Sequence, residues 1–308
     1  MNFPNAAFAI VLLGVGLAAQ TAPAESLNLL APAPDWSDLA ALQRCVTRRE
    51  FATLLESVYA PGGAARGLIE IRGDHAEIVT NAALDEKFIL QFAQDAGDVR
   101  PSPRFWRTRS ELPAASHDRP LDGLRIALDP GHLGGNYARM EGRWFQLEGG
   151  QPVTEGDMTL RTAQLLAQRL NALGATVSFV RPTPGPVTSK RPADFRPEAR
   201  QILHDRGITQ PREAYESFND PGRASTVQFQ SEYLFFRISE IRRRAALVND
   251  ALRPDLVVCL HFDATSWDDP MQPSFTRDNH FHVLVNGCYS AEELALDDAR
   301  HDMLVRLL

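Results

Sequence analysis

Cysteine is scarce in this chain. Cys45, Cys259 and Cys288 are the three among 308 residues, an odd number with no Cys-x-x-Cys spacing. They supply neither an even disulfide framework nor a paired-cysteine metal motif, although an oxidising compartment would permit one bridge. An excess of positive charge is also missing: the formal charge is −7. Neutralising phosphates needs a basic face and none is obvious, so no nucleic-acid partner is expected. No stable membrane span is expected, because the apolar run Ala6–Ala19 is too short to cross a bilayer. No charged side chain precedes Glu25, and so no Lys or Arg stands ahead of that run. Ala22-Pro23-Ala24 supplies the small-x-small pattern that a signal peptidase accepts. Residues 1–24 are therefore expected to be a signal peptide, with an uncleaved anchor as the alternative, and the chain to be exported to the periplasm or the extracellular space. No internal repeat occurs at solenoid periods. What remains is 44% apolar and 23% charged, an ordinary globular balance.

A lead-in segment, 25–39, is rich in Pro and Ala. Thr47-Arg48-Arg49-Glu50 has capping-box spacing, and Phe51, Leu54, Leu55 and Val58 follow at helical intervals until Pro61-Gly62-Gly63 stops them. Leu68 to Arg72 and Ala76 to Thr80 alternate around Gly73-Asp74, the pattern of a hairpin. Residues 40–100 thus read as a small α+β module, and the Pro-rich stretch 101–121 as a linker.

A second domain is expected over 122–308. Leu124 to Leu128 reads as a strand, and Thr154 as the cap of a helix from Glu155 to about Leu173, with Asp157 at the capping-box position. Ala163, Leu166, Leu170 and Leu173 form its apolar stripe. Gly174 ends it, and Ala175 to Val180 is the next strand. Strand, helix, strand implies parallel pairing with a right-handed crossover. Residues 182–230 have weak periodicity, too long for a plain loop, and read as a partly helical insertion or lid. Ser231 to Leu252 returns to helical spacing. Leu256 to Leu260 is a third strand, in which Cys259 is expected to be a packed core thiol. His280 to Val285 alternates as a fourth strand, and Ser290 with Glu293 caps a last helix. The fold class is therefore α/β: a twisted, mostly parallel sheet flanked by helices and preceded by the small α+β module.

His132 and His261 both follow apolar strands directly. In an open parallel sheet, side chains at the carboxyl ends of the strands gather in one crevice. A third ligand must come from nearby, and Glu141, Glu148 and Glu155 all follow His132 within reach. Two His and one carboxylate leave a fourth tetrahedral position for water, the composition of a catalytic zinc site. Zinc there lowers the pKa of bound water to about 7. His280 and His282 add further imidazoles. Asp129 reads equally as a turn-forming residue or as a hydrogen-bonding support for His132. Arg244 reads as the partner of a carboxylate near the site or as part of a solvated basic face, Arg242-Arg243-Arg244.

Leu128-Asp129-Pro130-Gly131-His132 followed by Gly134-Gly135 resembles the opening motif of the zinc-dependent N-acetylmuramoyl-L-alanine amidases of the amidase 3 family. Glu155, Leu173-Gly174-Ala175, Val177 to Val180 and Arg181 resemble that family's second segment, and Arg244, Val248-Asn249, Asp255, Leu256 to Leu260 and His261 its third. The resemblance implies one zinc ion held by His132, Glu155 and His261, and selects Glu155 over Glu141 and Glu148. It implies an exported hydrolase that cleaves the amide between N-acetylmuramic acid and L-alanine in peptidoglycan, with a general-base Glu taking the proton of the attacking water. The family carries that Glu on a late strand, so it is expected beyond Leu308; Glu292 and Glu293, in the first turn of a helix, suit the helix dipole instead. Leu133 departs from the family's usual His-Gly-Gly. Two other readings stay open: a zinc peptidase cutting the stem peptide, and a non-catalytic wall-binding protein. The insertion is a candidate lid, substrate clamp or docking element for a regulatory protein.

Overall fold

The structure of the chain, a computed structural model, describes residues 33–81, 84–147, 149–263, 280–285 and 287–308. The expected signal peptide, most of the lead-in segment and Glu148 lie outside the described residues. The chain divides into two compact units, Ala33–Arg100 with Gly287–Leu308, and Pro101–Asn286.

In the first unit Thr47 caps α1 (Arg48–Leu54) by accepting from the Glu50 N–H, as its spacing predicts. The helix runs on in π form over Leu55–Tyr59 and stops at Pro61, where Gly62 takes φ +68°. The predicted hairpin is β1 (Ile69–Ile71) against β2 (His75–Asn81). A third antiparallel strand, β3 (Glu86–Gln91), extends it. Ala76, Ile78 and Leu90 form the inward face and share a buried cluster with Phe51 and Leu55 of the helix.

The second unit is built on three parallel strands, β4 (Arg125–Pro130), β7 (Thr176–Phe179) and β8 (Leu256–Leu260), in the order β7-β4-β8. Between β4 and β7 come α2 (Tyr137–Glu141), a two-stranded antiparallel ribbon of β5 (Trp144–Phe145) and β6 (Val153–Thr154), and α3 (Glu155–Ala172). Ala163 and Ala167 of α3 bury against Ile126 and Leu128, with Val177, Phe179, Val258 and Leu260 packed around them. Small residues on the helix let it approach the branched side chains of the sheet closely.

The stretch 182–230 is folded rather than looped. It contains α4 (Arg196–Asp205) and the start of α5 (Val227–Tyr233), which opens a continuous helix over 227–252 that includes α6 (Glu240–Ala246). Helix formation therefore begins before Ser231. Thr226 explains the earlier start, because its hydroxyl accepts from the Phe229 N–H. Phe195, Ala199, Leu203, Val227, Leu234, Phe235 and Ile238 form a second buried cluster, and Leu133 is its contribution from the β4–α2 loop.

Three expectations are corrected. Cys259 is exposed, not a core thiol. β8 ends the sheet order, and while Val258 and Leu260 turn toward α3, strand alternation sends Cys259 the other way. His280 to Val285 forms no strand, and Phe281, Val283, Leu284 and Val285 are exposed. Alternation prepares a segment for pairing, but a strand also needs a ladder partner, and this one has none among the described residues. The last helix is two, α7 (Ala291–Leu294) and α8 (Asp297–Leu307). It retains the Ser290–Glu293 capping box. The sequence places it in the second domain, 122–308, yet Leu294, Met303, Leu304 and Leu307 bury in the cluster of the first unit. Its apolar stripe says that it packs, not against what.

Among the described residues no helix is long and apolar enough to cross a membrane.

Candidate metal centre

The carboxyl ends of β4 and β8, neighbours in the sheet, deliver His132 and His261 to the same place. The Gly131 N–H donates to the Leu260 carbonyl at 2.8 Å, which carries the pairing one residue past β4. The chain then turns sharply at His132, whose φ of +57° lies in the left-handed region that His tolerates better than most residues. Glu155 enters from a third direction, as the first residue of α3. Gly156 makes that approach possible: a Cβ there would collide with the Leu133 carbonyl and stand 2.5 Å from the Gly134 nitrogen. The helix start and the His132 loop are therefore in backbone contact.

His132, Glu155 and His261 form a group that could hold a metal ion, with one ligand atom from each within 4.8 Å of the others. His132 Nε2 lies 3.5 Å from Glu155 Oε2, and His261 Nδ1 lies 3.3 Å from Glu155 Oε1. The two rings stand edge to face with centroids 5.0 Å apart. Glu155 is further held by the Phe262 N–H, which donates to Oε1 at 3.0 Å. Thr154 stands at the N-cap position but makes no capping bond. Its hydroxyl instead donates to Asp157, which also accepts from the Gly135 N–H.

Behind the group lies a buried layer of charge. Arg244, 7% exposed, donates to Asp129 Oδ1 at 2.9 Å, to the Pro130 carbonyl at 2.8 Å and to the His132 carbonyl at 3.2 Å. Glu240, one helical turn earlier, accepts from its Nε at 2.9 Å. Arg244 is therefore no solvated face. Asp129 acts through Arg244 and makes no hydrogen bond to the His132 ring. Burial pushes the Asp129 carboxyl above its ordinary value, with Arg244 opposing that shift. Arg181, fully buried, donates to the carbonyls of Pro130, Thr183 and Gly156. Burial and the neighbouring Arg244 lower it to about 10, so it stays charged at neutral pH. Between them the two arginines tie β4, the His132 turn and the start of α3 together.

Of the other candidates, Glu141 lies outside the ligand group but against it, accepting at 3.0 Å from His132 Nδ1. Glu240 was not foreseen, although its i,i+4 spacing from Arg244 was a readable sign of pairing. His282 lies 3.6 Å from Asp263, and neither it nor His280 belongs to the ligand group. Beside Glu155 an open groove of about 490 Å³ is lined by Pro152, Val153, Met158, Arg161, Thr162 and Phe262 among others.

No family model matches the chain, and no curated protein or solved structure matches it.

Proposed function

We propose that this chain is an exported zinc-dependent hydrolase that cleaves the amide between N-acetylmuramic acid and L-alanine of peptidoglycan. The observation that carries the reading is the convergence of His132, Glu155 and His261 from two strand ends and a helix start. Two imidazoles and one carboxylate are the donor set of catalytic zinc. For ligand bonds of about 2.0–2.1 Å, a tetrahedron has edges of about 3.3 Å. The three ligand atoms lie within 4.8 Å of one another, with 3.3 and 3.5 Å from the two histidines to the two different oxygens of Glu155, so a tetrahedral site asks the side chains to close locally around the ion.

Bound zinc supplies Lewis acidity toward a carbonyl and acidifies a ligated water. The chain's own residues do the rest of the positioning. Arg244 and Arg181 hold the His132 turn, and the Phe262 N–H orients the Glu155 carboxylate. The groove beside Glu155, whose lining includes the apolar Val153, Met158 and Phe262 and the cation of Arg161, receives part of the substrate. The amide specificity and the wall substrate rest on the motif resemblance.

The test is digestion of purified sacculi by the metal-depleted and zinc-restored protein. Freed stem peptides with an intact sequence and a new L-alanine amino terminus, seen only with zinc, support the proposal. Cuts within the stem would reassign the chain as a peptidase. Binding to sacculi without release would leave it a wall-binding protein.

A further inference from the structure

Glu141 is 5% exposed at its side chain, and among the described residues no Lys or Arg pairs with it. Its Oε2 accepts from His132 Nδ1 at 3.0 Å and from the Leu133 N–H at 3.1 Å. A carboxylate can only accept, so in the neutral ring this contact places the proton on Nδ1. Nε2 then carries the lone pair, and it is Nε2 that faces Glu155.

Glu141 is itself held by the insertion. It ends α2, a helix of five residues closed by Gly142 at φ +70°. Phe218 packs on that glycine so tightly that a Cβ there would stand 2.6 Å from the Phe218 ring. Arg223 donates to the carbonyl of Met140 at 3.2 Å. Its guanidinium lies 4.0 Å from the Phe218 ring centroid, 4.8 Å from that of Tyr215 and 4.9 Å from that of Phe229, which fixes its direction. The residues before and after Glu141 are thus both pinned by the 182–230 segment.

We propose that Glu141 is a positioning residue that fixes the His132 ring with its proton on Nδ1 and its Nε2 lone pair toward the metal group, and that the insertion serves to hold Glu141 there. The geometry stands alone, but its consequence for zinc rests on the reading above. A partner of this kind raises the basicity of the ligand and sets its orientation, and its loss typically weakens metal binding 10–100-fold.

The experiment uses the ¹⁵N-labelled full chain in metal-free form. Long-range ¹H–¹⁵N correlations of the neutral His132 ring should show the Nδ1–H tautomer in the wild type and in Glu141→Gln, whose amide oxygen still accepts. In Glu141→Ala that tautomer should give way to Nε2–H. Chelator competition should then show zinc affinity falling about 10–100-fold in Glu141→Ala, less in Glu141→Gln, and measurably in Arg223→Met, which touches no ligand. A wild-type Nε2–H tautomer overturns the proposal, as does an unchanged tautomer and affinity in Glu141→Ala. Wild-type affinity in Arg223→Met overturns the role given to the insertion. If the wild-type protein takes up no zinc, the zinc reading fails by itself, and the tautomer still decides the role of Glu141.

Discussion

Gly131 lies against the imidazole of His261, so close that a Cβ on it would stand 2.6 Å from Nδ1 and 2.6 Å from the Leu260 carbonyl oxygen. Its φ is not in the left-handed region, so alanine is acceptable to the local backbone and only the neighbours object. Gly131→Ala should push His261 and the end of β8 away from Glu155. Zinc affinity should drop at least tenfold, with a stability loss of about 1–3 kcal/mol from overpacking. Chelator competition and urea unfolding measure the two separately. Wild-type affinity would show that His261 does not hold the metal from this position.

Arg244 satisfies Asp129, Glu240 and two carbonyls at once. Arg244→Met keeps most of the volume and removes the charge, leaving the buried Glu240 and the partly buried Asp129 without that cation. A loss of about 3 kcal/mol is expected. Arg244→Lys should restore little, since one ammonium cannot span acceptors arranged for a guanidinium fork. The midpoint of urea unfolding reads both variants. A change below about 0.5 kcal/mol, usual for a surface site, would contradict the buried role.

How much of this was legible in the sequence depended on whether a feature is local. The caps of Thr47 and Ser290 and the β1–β2 hairpin are set by neighbours a few residues apart, and spacing found them. His132 and His261 were legible because a strand end is a local event whose direction the sheet inherits. Glu155 was not separable from Glu141 by chemistry. Both acids come near His132, and which one faces Nε2 depends on Gly156 admitting α3 to the Leu133 backbone. Partner choice was the least legible of all. The stripe of the last helix and the alternation at Cys259 and His280 to Val285 identify a face, and a face does not specify what covers it. β3 escaped because Lys87-Phe88-Ile89-Leu90 breaks the polar alternation: Ile89, 40% exposed, sits where a polar residue would have marked the pattern.

Asp255 immediately precedes β8 with its side chain fully enclosed, accepting from the guanidinium groups of Arg107 and Arg125 and from both of their backbone N–H groups. Burial opposes its ionisation, but these hydrogen bonds outweigh burial and hold the carboxyl far below its ordinary value of 3.8. The unfolded chain binds this proton more readily than the folded one, so the contribution to stability is complete above the ordinary carboxylate pKa. It is lost as pH falls below that value toward the folded one. Asp255→Asn should cost about 2–3 kcal/mol at pH 7, the size of hydrogen bonds to a charged group. The gap between variant and wild type should narrow as the pH is lowered from 5 to 2. Urea unfolding across that range checks the sign. A gap that widens in acid would mean the carboxyl is protonated in the folded state.

A lid that opens and closes over a site should tolerate a cavity in its interior with little effect on the metal ligands. Residues 182–230 are built differently, because Leu203 of α4 and Leu133, the residue after the first histidine, are members of one buried cluster and are 1% and 0% exposed. Leu203→Ala should therefore destabilise the unit by about 3 kcal/mol through the cavity it leaves. It should also lower zinc affinity, because the packing that seats Leu133 also seats the His132 turn. Arg206→Ala, at the exposed end of the same helix, serves as the control and should change neither. Thermal unfolding with and without zinc distinguishes the cases. A destabilised Leu203→Ala protein that still binds zinc with wild-type affinity would uncouple the insertion from the metal centre. It would also return residues 182–230 to the role of a cover.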